Sequence, residues 1–180
     1  MADFAETQRA AATLPTMRIA KGLAAFRIFV GLVWLANALA KVVNQGRYDL
    51  GVVSFSLISR DTARGLLESY TGPESNAITP LKSLYSDLVL ANWGFFQWLL
   101  TAAELAVGIS LVVGIASRLG PLLALALIFP LWIMVLDNGR YLFEWPLDIV
   151  PLAILAAVPA GRVWGQDRRL AARFGDRWPF

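Results

Sequence analysis

Four ionisable side chains fall inside apolar stretches of this chain: Arg27, Lys41, Glu104 and Asp148. A charge placed in hydrocarbon costs roughly 2.5–3.5 kcal/mol on insertion scales, so each must find a partner, reach water or serve a ligand or proton path. Glu104 is predicted to lie deepest, near mid-membrane and too far from either surface to reach water on its own stem. A carboxyl in that position is protonated, paired or lining a wet cavity. Its neighbours at helical spacing, Gln97, Thr101 and Gly108, give a polar face. Arg27, Gly31, Trp34, Asn37 and Lys41 recur at steps of four, three, three and four, so they form a second stripe on another helix. The lower half of that stripe with Glu104 and Thr101 is the expected place for a ligand, and Glu104 is the residue able to relay a proton.

Depth along each span suggests the pairings. Lys41 and Asp148 both lie a few residues from the outer ends of their spans, which predicts a Lys41–Asp148 ion pair with Glu144 as a substitute. Arg27 and Glu104 are offset by roughly 9 Å along the membrane normal, a gap that a long arginine spans in part with help from water or Thr101. The plainer alternatives are that Arg27 extends to cytoplasmic headgroups and that Lys41 and Asp148 each reach outer water without meeting. Trp34 and Trp98 read as bundle core.

Other chemistry is excluded by composition. The chain has no Cys and no His, so it offers no disulfide, no thiolate metal site and none of the usual haem or transition-metal ligands. Of three methionines, Met1 and Met17 lie outside the spans and Met134 stands alone. Electrons passing near this protein would be carried by a partner or by a bound small molecule, and the chain is not expected to be an enzyme on its own.

The elements that must position these groups are helices. Hydrophobic residues make up 57% of the 180 and charged ones 16%, well below the roughly one quarter of a soluble domain. Mean hydropathy is +0.58. The expected fold is all-α: one domain over residues 1–180, a polytopic membrane four-helix bundle. Its spans are placed at about 22–43, 93–115, 119–136 and 145–164, each near the 20 residues that cross a bilayer. Ala102, Ala106, Ser110 and Gly114, and likewise Ala153, Ala157 and Gly161, form small-residue stripes suited to close helix packing. Pro130 is expected to kink the third span.

The first 21 residues suggest a short amphipathic helix broken near Pro15; a cleaved signal peptide is disfavoured because the apolar run is too long and Arg27 interrupts it. Residues 44–92 form a long connection. Within it Asp61 is a candidate cap for a helix ended by Gly72-Pro73, Thr79-Pro80 opens a second helix, and Val52–Ile58 could be extended. A turn is expected at 137–140 and a basic soluble tail at 165–180. Lys and Arg gather in the N-terminal segment, at Arg118 and in the tail, which places both termini in the cytoplasm and the connection outside. Trp93, Tyr141 and Trp145 fit an outer aromatic belt and Trp164 an inner one. The basic tail suits anionic lipid headgroups rather than nucleic acid.

Three stretches, FRIFVGLVWLANALAKVV at 26–43, AELAVGISLVVGIASRLG at 103–120 and GRVWGQDRRL at 161–170, resemble the DoxX-like family of four-span bacterial membrane proteins. The family pattern falls on Arg27, Gly31 and Lys41 in the first span and on Glu104, Gly108, Gly114 and Arg118 in the second. The long connection is more similar to the group related to the small DoxD subunit of thiosulfate:quinone oxidoreductase. The resemblance implies a multi-pass protein of the bacterial cytoplasmic membrane, often near oxidoreductases. On it rests the expectation of an accessory subunit of a respiratory-type complex, with membrane lipids and protein subunits as partners, no metal, and a quinone site shaped by Glu104, Thr101, Arg27 and Trp34. A non-enzymatic scaffold is the alternative, and a small transporter a weaker one, since no inverted repeat is visible.

Overall fold

The computed structural model describes residues 2–136, 145–175 and 177–180, with side chains from residue 16 onward except at 145. Glu144, the turn at 137–140, Tyr141 and the Trp145 side chain fall outside the described set. The chain is mostly helical. Helix α1 covers Ala2–Val43, followed by a small antiparallel hairpin of β1 (Arg47–Asp49) and β2 (Ser54–Ser56). Helix α2 is Arg60–Thr71, and α3, Thr79–Ser83, runs into a π-helical turn at Leu84–Leu90. Then come α4 (Trp93–Val113), α5 (Leu119–Met134), α6 (Trp145–Ala157), a 3-10 turn at Ala160–Arg162 and α7 (Asp167–Phe174).

Among the described residues two helical segments are long and apolar enough to cross a membrane, Thr16–Val43 and Trp93–Val113, with mean hydropathies of 1.9 and 1.7. The chain itself buries only 28% and 22% of their most apolar windows. Helices apolar on every side need cover all round, and here most of that cover must come from outside the chain. Phe29, Leu32 and Val33 on α1 and Phe95, Leu99 and Ile109 on α4 are all exposed.

Helices α1 and α4 are antiparallel partners. A side chain at Gly31 would meet Leu111 Cβ at 2.7 Å and Val112 N at 2.8 Å, and one at Gly108 would meet Leu35 N at 2.8 Å. The two glycines therefore let the backbones touch, as small residues do in membrane bundles, and they fix the register. The stripes drawn from sequence do not serve this contact: Ala102, Ala106, Ala153 and Ala157 are exposed. Of these small residues Gly114 and Gly161 are buried, and Ser110 Oγ abuts Gly120 on α5, where an added Cβ would lie 2.6 Å from it.

One core joins Val107 and Leu111 of α4, Ala124 of α5 and Leu152 and Leu155 of α6, with Phe26, Val30 and Trp34 of α1 against it. A second gathers Leu67, Val89 and Trp93 where the connection folds over the start of α4. Arg60 also stacks on Trp98, 4.4 Å from the ring centroid. Trp98 is thus half-exposed beneath α2 rather than core.

Several boundaries differ from those expected. Helix α1 runs without a break through Pro15 to Val43. Its end is a Schellman turn: Asn44 adopts φ 56° and Gln45 N–H donates to Ala40 O at 3.0 Å. Ser59, not Asp61, caps α2, its Oγ accepting from Thr62 N–H at 3.2 Å. Asp61 is engaged elsewhere, accepting from Asn44 Nδ2 at 2.8 Å. Ile78, not Thr79, is the first-turn flank of α3. The fourth apolar helix stops at Ala157, seven residues short of 164, because Pro159 lacks a donor and disfavours helix at the residue before it. The basic tail carries α7.

Candidate functional site

Lys41 and Glu104 meet. Lys41 Nζ lies 2.8 Å from Glu104 Oε2, with side chains only 4% and 16% exposed. This corrects the expected Lys41–Asp148 pair. Counting from span ends assumed that all spans begin at one level. The glycine contacts instead set 31 against 111 and 35 against 108, which brings 104 close to the level of Lys41. Helical side chains lean toward their own N-terminus, so on antiparallel helices Lys41 and Glu104 lean toward each other. The first turns of α4 extend past the end of α1 and are covered by the connection.

The pair opens onto a half-open cavity of about 690 Å³ bordered by α1, α2, α4, α5 and α6. Its walls are largely apolar, including Phe26, Val30, Leu100, Ile128 and Leu131, with Trp34 from the α1 stripe. Its polar groups are Lys41, Glu104, Asn37, Asp148, Tyr70 and Tyr85. Asp148 is exposed on α6, across from the ion pair. Asn37 is spent on structure: Nδ2 donates to Val33 O at 3.0 Å, and Oδ1 accepts from Ile58 N–H at 2.9 Å, tying the connection to α1. Burial pushes the Tyr85 phenol above its ordinary range, which keeps it a neutral donor.

The other two residues of the expected ligand site are not at this cavity's polar end. Thr101 is buried, and its hydroxyl donates to Gln97 O of its own helix at 2.6 Å. Arg27 neither reaches Glu104 nor extends to headgroups. It is fully buried, its Nη1 donating to Leu111 O and, at 3.5 Å, to Val112 O, and its Nη2 to Trp164 O at 3.2 Å. The carbonyls of Leu111 and Val112 are among the last of α4, which have no partner within the helix and carry the negative end of its dipole.

The rest of that helix end is completed by the C-terminal segment. Val113 O accepts from Gln166 N–H at 3.2 Å and Gly114 O from Asp167 N–H at 2.8 Å. In return the fully buried Asp167 carboxylate accepts from Ala116 N–H at 2.6 Å and Ser117 N–H at 2.9 Å. Ser117 Oγ accepts from Gly161 N–H at 3.0 Å. Asp167 also acts electrostatically on Arg27. Backbone strain is held here: Ala116 and Trp164 sit at φ 48° and 52°, left-handed values that non-glycine residues adopt only when surroundings impose them. Asp167 was not anticipated as a buried group. The available signal was a pair of glycines four apart, Gly161 and Gly165, followed two residues later by an acid just ahead of Arg168 and Arg169. A Cβ at Gly161 would fall 2.3 Å from Asp167 Oδ2.

No protein-family model, no curated protein sequence and no solved structure matches this chain.

Proposed function

We propose that this chain is a membrane-embedded accessory subunit of an oxidoreductase assembly, DoxX-like in kind, whose cavity at Lys41 and Glu104 holds a quinone-type molecule. One observation carries the reading: a buried ion pair faces an apolar cavity of about 690 Å³, within the roughly 300–1,000 Å³ of small-molecule sites with few convergent polar groups. The residues fit such a ligand. Trp34, Phe26 and Ile128 offer ring contacts, Lys41 and Tyr85 offer donors to a carbonyl oxygen, and Glu104 can accept or release a proton. Quinones supply two-electron, two-proton chemistry, which a chain without Cys or His does not itself provide. Lys41 orients the carboxylate, and the walls around the pair are largely apolar.

Four crossings are part of the proposal. Helices α1 and α4 have the length; α5 and α6, at 16 and 13 residues, reach about 24 and 20 Å, so the fourth crossing draws on residues 158–164. Arg18, Lys21, Arg118 and the arginines of α7 share one end of the bundle, since Arg27 and Asp167 join those segments. That end is cytoplasmic by the positive-inside rule, and the connection faces outward.

A scaffold role has its own support: the hairpin tip exposes Leu50, Val52 and Val53, with Val52 98% exposed, an apolar edge suited to a partner subunit. Purification in mild detergent, with identification of co-purifying subunits and extracted quinone, tests both. Quinone and a redox partner that survive deletion of the hairpin tip support the first reading. A partner lost with the tip, and no quinone in the wild-type complex, favours the scaffold.

A further inference from the structure

A separate groove of about 530 Å³ lies at the charged end of the bundle, between the end of α4 and α7, lined by Val113, Ile115, Gln166, Arg169, Leu170 and Arg173. We propose that it binds one anionic phospholipid, with the phosphate on Arg169 and Arg173 and an acyl chain along Val113 and Ile115. The proposal rests on the membrane reading above and not on quinone binding.

Four observations converge. Residues 166, 169, 170 and 173 follow helical spacing, so the two guanidinium groups share the α7 face turned to α4. Both arginines are exposed, and among the described residues neither forms an ion pair; Arg169 Nη1 reaches only Gln166 Oε1 at 3.4 Å, and Arg173 lies over the Phe174 ring at 5.4 Å. Asp167, the acid of the same helix, is turned inward to Ala116 and Ser117 and cannot neutralise them. Val113 and Ile115 are 39% and 42% exposed and continue the apolar surface of α4 through Ile109.

The level also suits a lipid. Gly114, at φ 70°, ends the apolar helix at the groove, where acyl chain gives way to headgroup. Exposed Trp164 and Phe174 lie on the same segment, the kind of aromatic side chain that settles at a bilayer interface. A choline lipid supplies the same chain and phosphate but no net charge, so preference for an anionic headgroup is the distinguishing property.

The test is native mass spectrometry of the full chain in detergent, titrated with phosphatidylglycerol, phosphatidylcholine or inorganic phosphate. Wild type is expected to retain phosphatidylglycerol over phosphatidylcholine. R169Q/R173Q is expected to weaken that binding about thirtyfold, from the loss of two cations, while the charge-matched R168Q/R177Q stays near wild type. These arginines are exposed, and matching circular dichroism spectra would verify that the variants fold. Equal loss in both double variants, no preference between the two lipids, or displacement by millimolar inorganic phosphate would overturn the proposal. Carbonate extraction of wild-type membranes separates the underlying reading: release of the chain refutes membrane insertion itself, whereas retention without lipid preference refutes the lipid site alone.

Discussion

Arg27 and Lys41 sit on one helix about four turns apart, both buried, both facing α4. They are held in opposite ways. Arg27 donates to main-chain carbonyls at a tightly packed helix end, where glycines 114, 161 and 165 leave no room for a Cβ and Asp167 closes the loop. Among the described residues Lys41 forms one ion pair, with Glu104, beside a cavity. A charge locked into the backbone specifies a fold. A charge held by a carboxylate beside a largely apolar cavity is placed where a ligand could meet it. The same residue types thus read as structure at one end of the bundle and as chemistry at the other.

The contrast is tested most severely at Asp167. D167A should unfold the charged end, costing about 3–5 kcal/mol, because it orphans the buried Ser117 N–H and the part-buried Ala116 N–H and removes the counter-charge to Arg27. Unfolding in mixed detergent micelles would measure it, and a loss below that of E104Q would erase the distinction. Next is G108A, whose methyl would press on Leu35 backbone. Overpacking of this kind costs about 1–3 kcal/mol, and because Gly108 sets the α1–α4 register it should perturb both charge sites together.

E104Q should cost less, about 1–2 kcal/mol, since the amide oxygen still accepts from Lys41 and water entering the half-open cavity can solvate the ammonium. The same titration with K41M/E104Q as partner variant would reveal whether the pair is coupled. The smallest effect is E68A. Glu68 forms an exposed pair with Arg64 at 2.8 Å, and such i,i+4 pairs are worth about 0.3–0.5 kcal/mol.

Much of this was legible in the sequence, and for stated reasons. Apolar runs mark α1 and α4 because their period and length leave no other structure, and the deep charges Arg27 and Glu104 stand out by type alone. The pairings were not legible. Lys41 finds Glu104 through a register set by Gly31 and Gly108, and no count from span ends contains that information. Asp61 is an acceptable cap in isolation, yet it accepts from Asn44, seventeen residues away, leaving Ser59 to cap α2. Asp167 looks like a solvated tail acid until residues 114–117 are brought against it. The errors that bear on the site fell where distant segments meet.

The central claim is that the Lys41–Glu104 pair serves a quinone-type ligand, whereas the buried Arg27 and Asp167 serve the fold. The most direct measurement is equilibrium binding of a short-chain quinone to purified wild type, E104Q and R169Q/R173Q, by quenching of tryptophan fluorescence. The account predicts saturable binding to wild type, the same binding to R169Q/R173Q, and its loss in E104Q with the protein still folded. Equal binding to wild type and E104Q, or none to wild type, would contradict it.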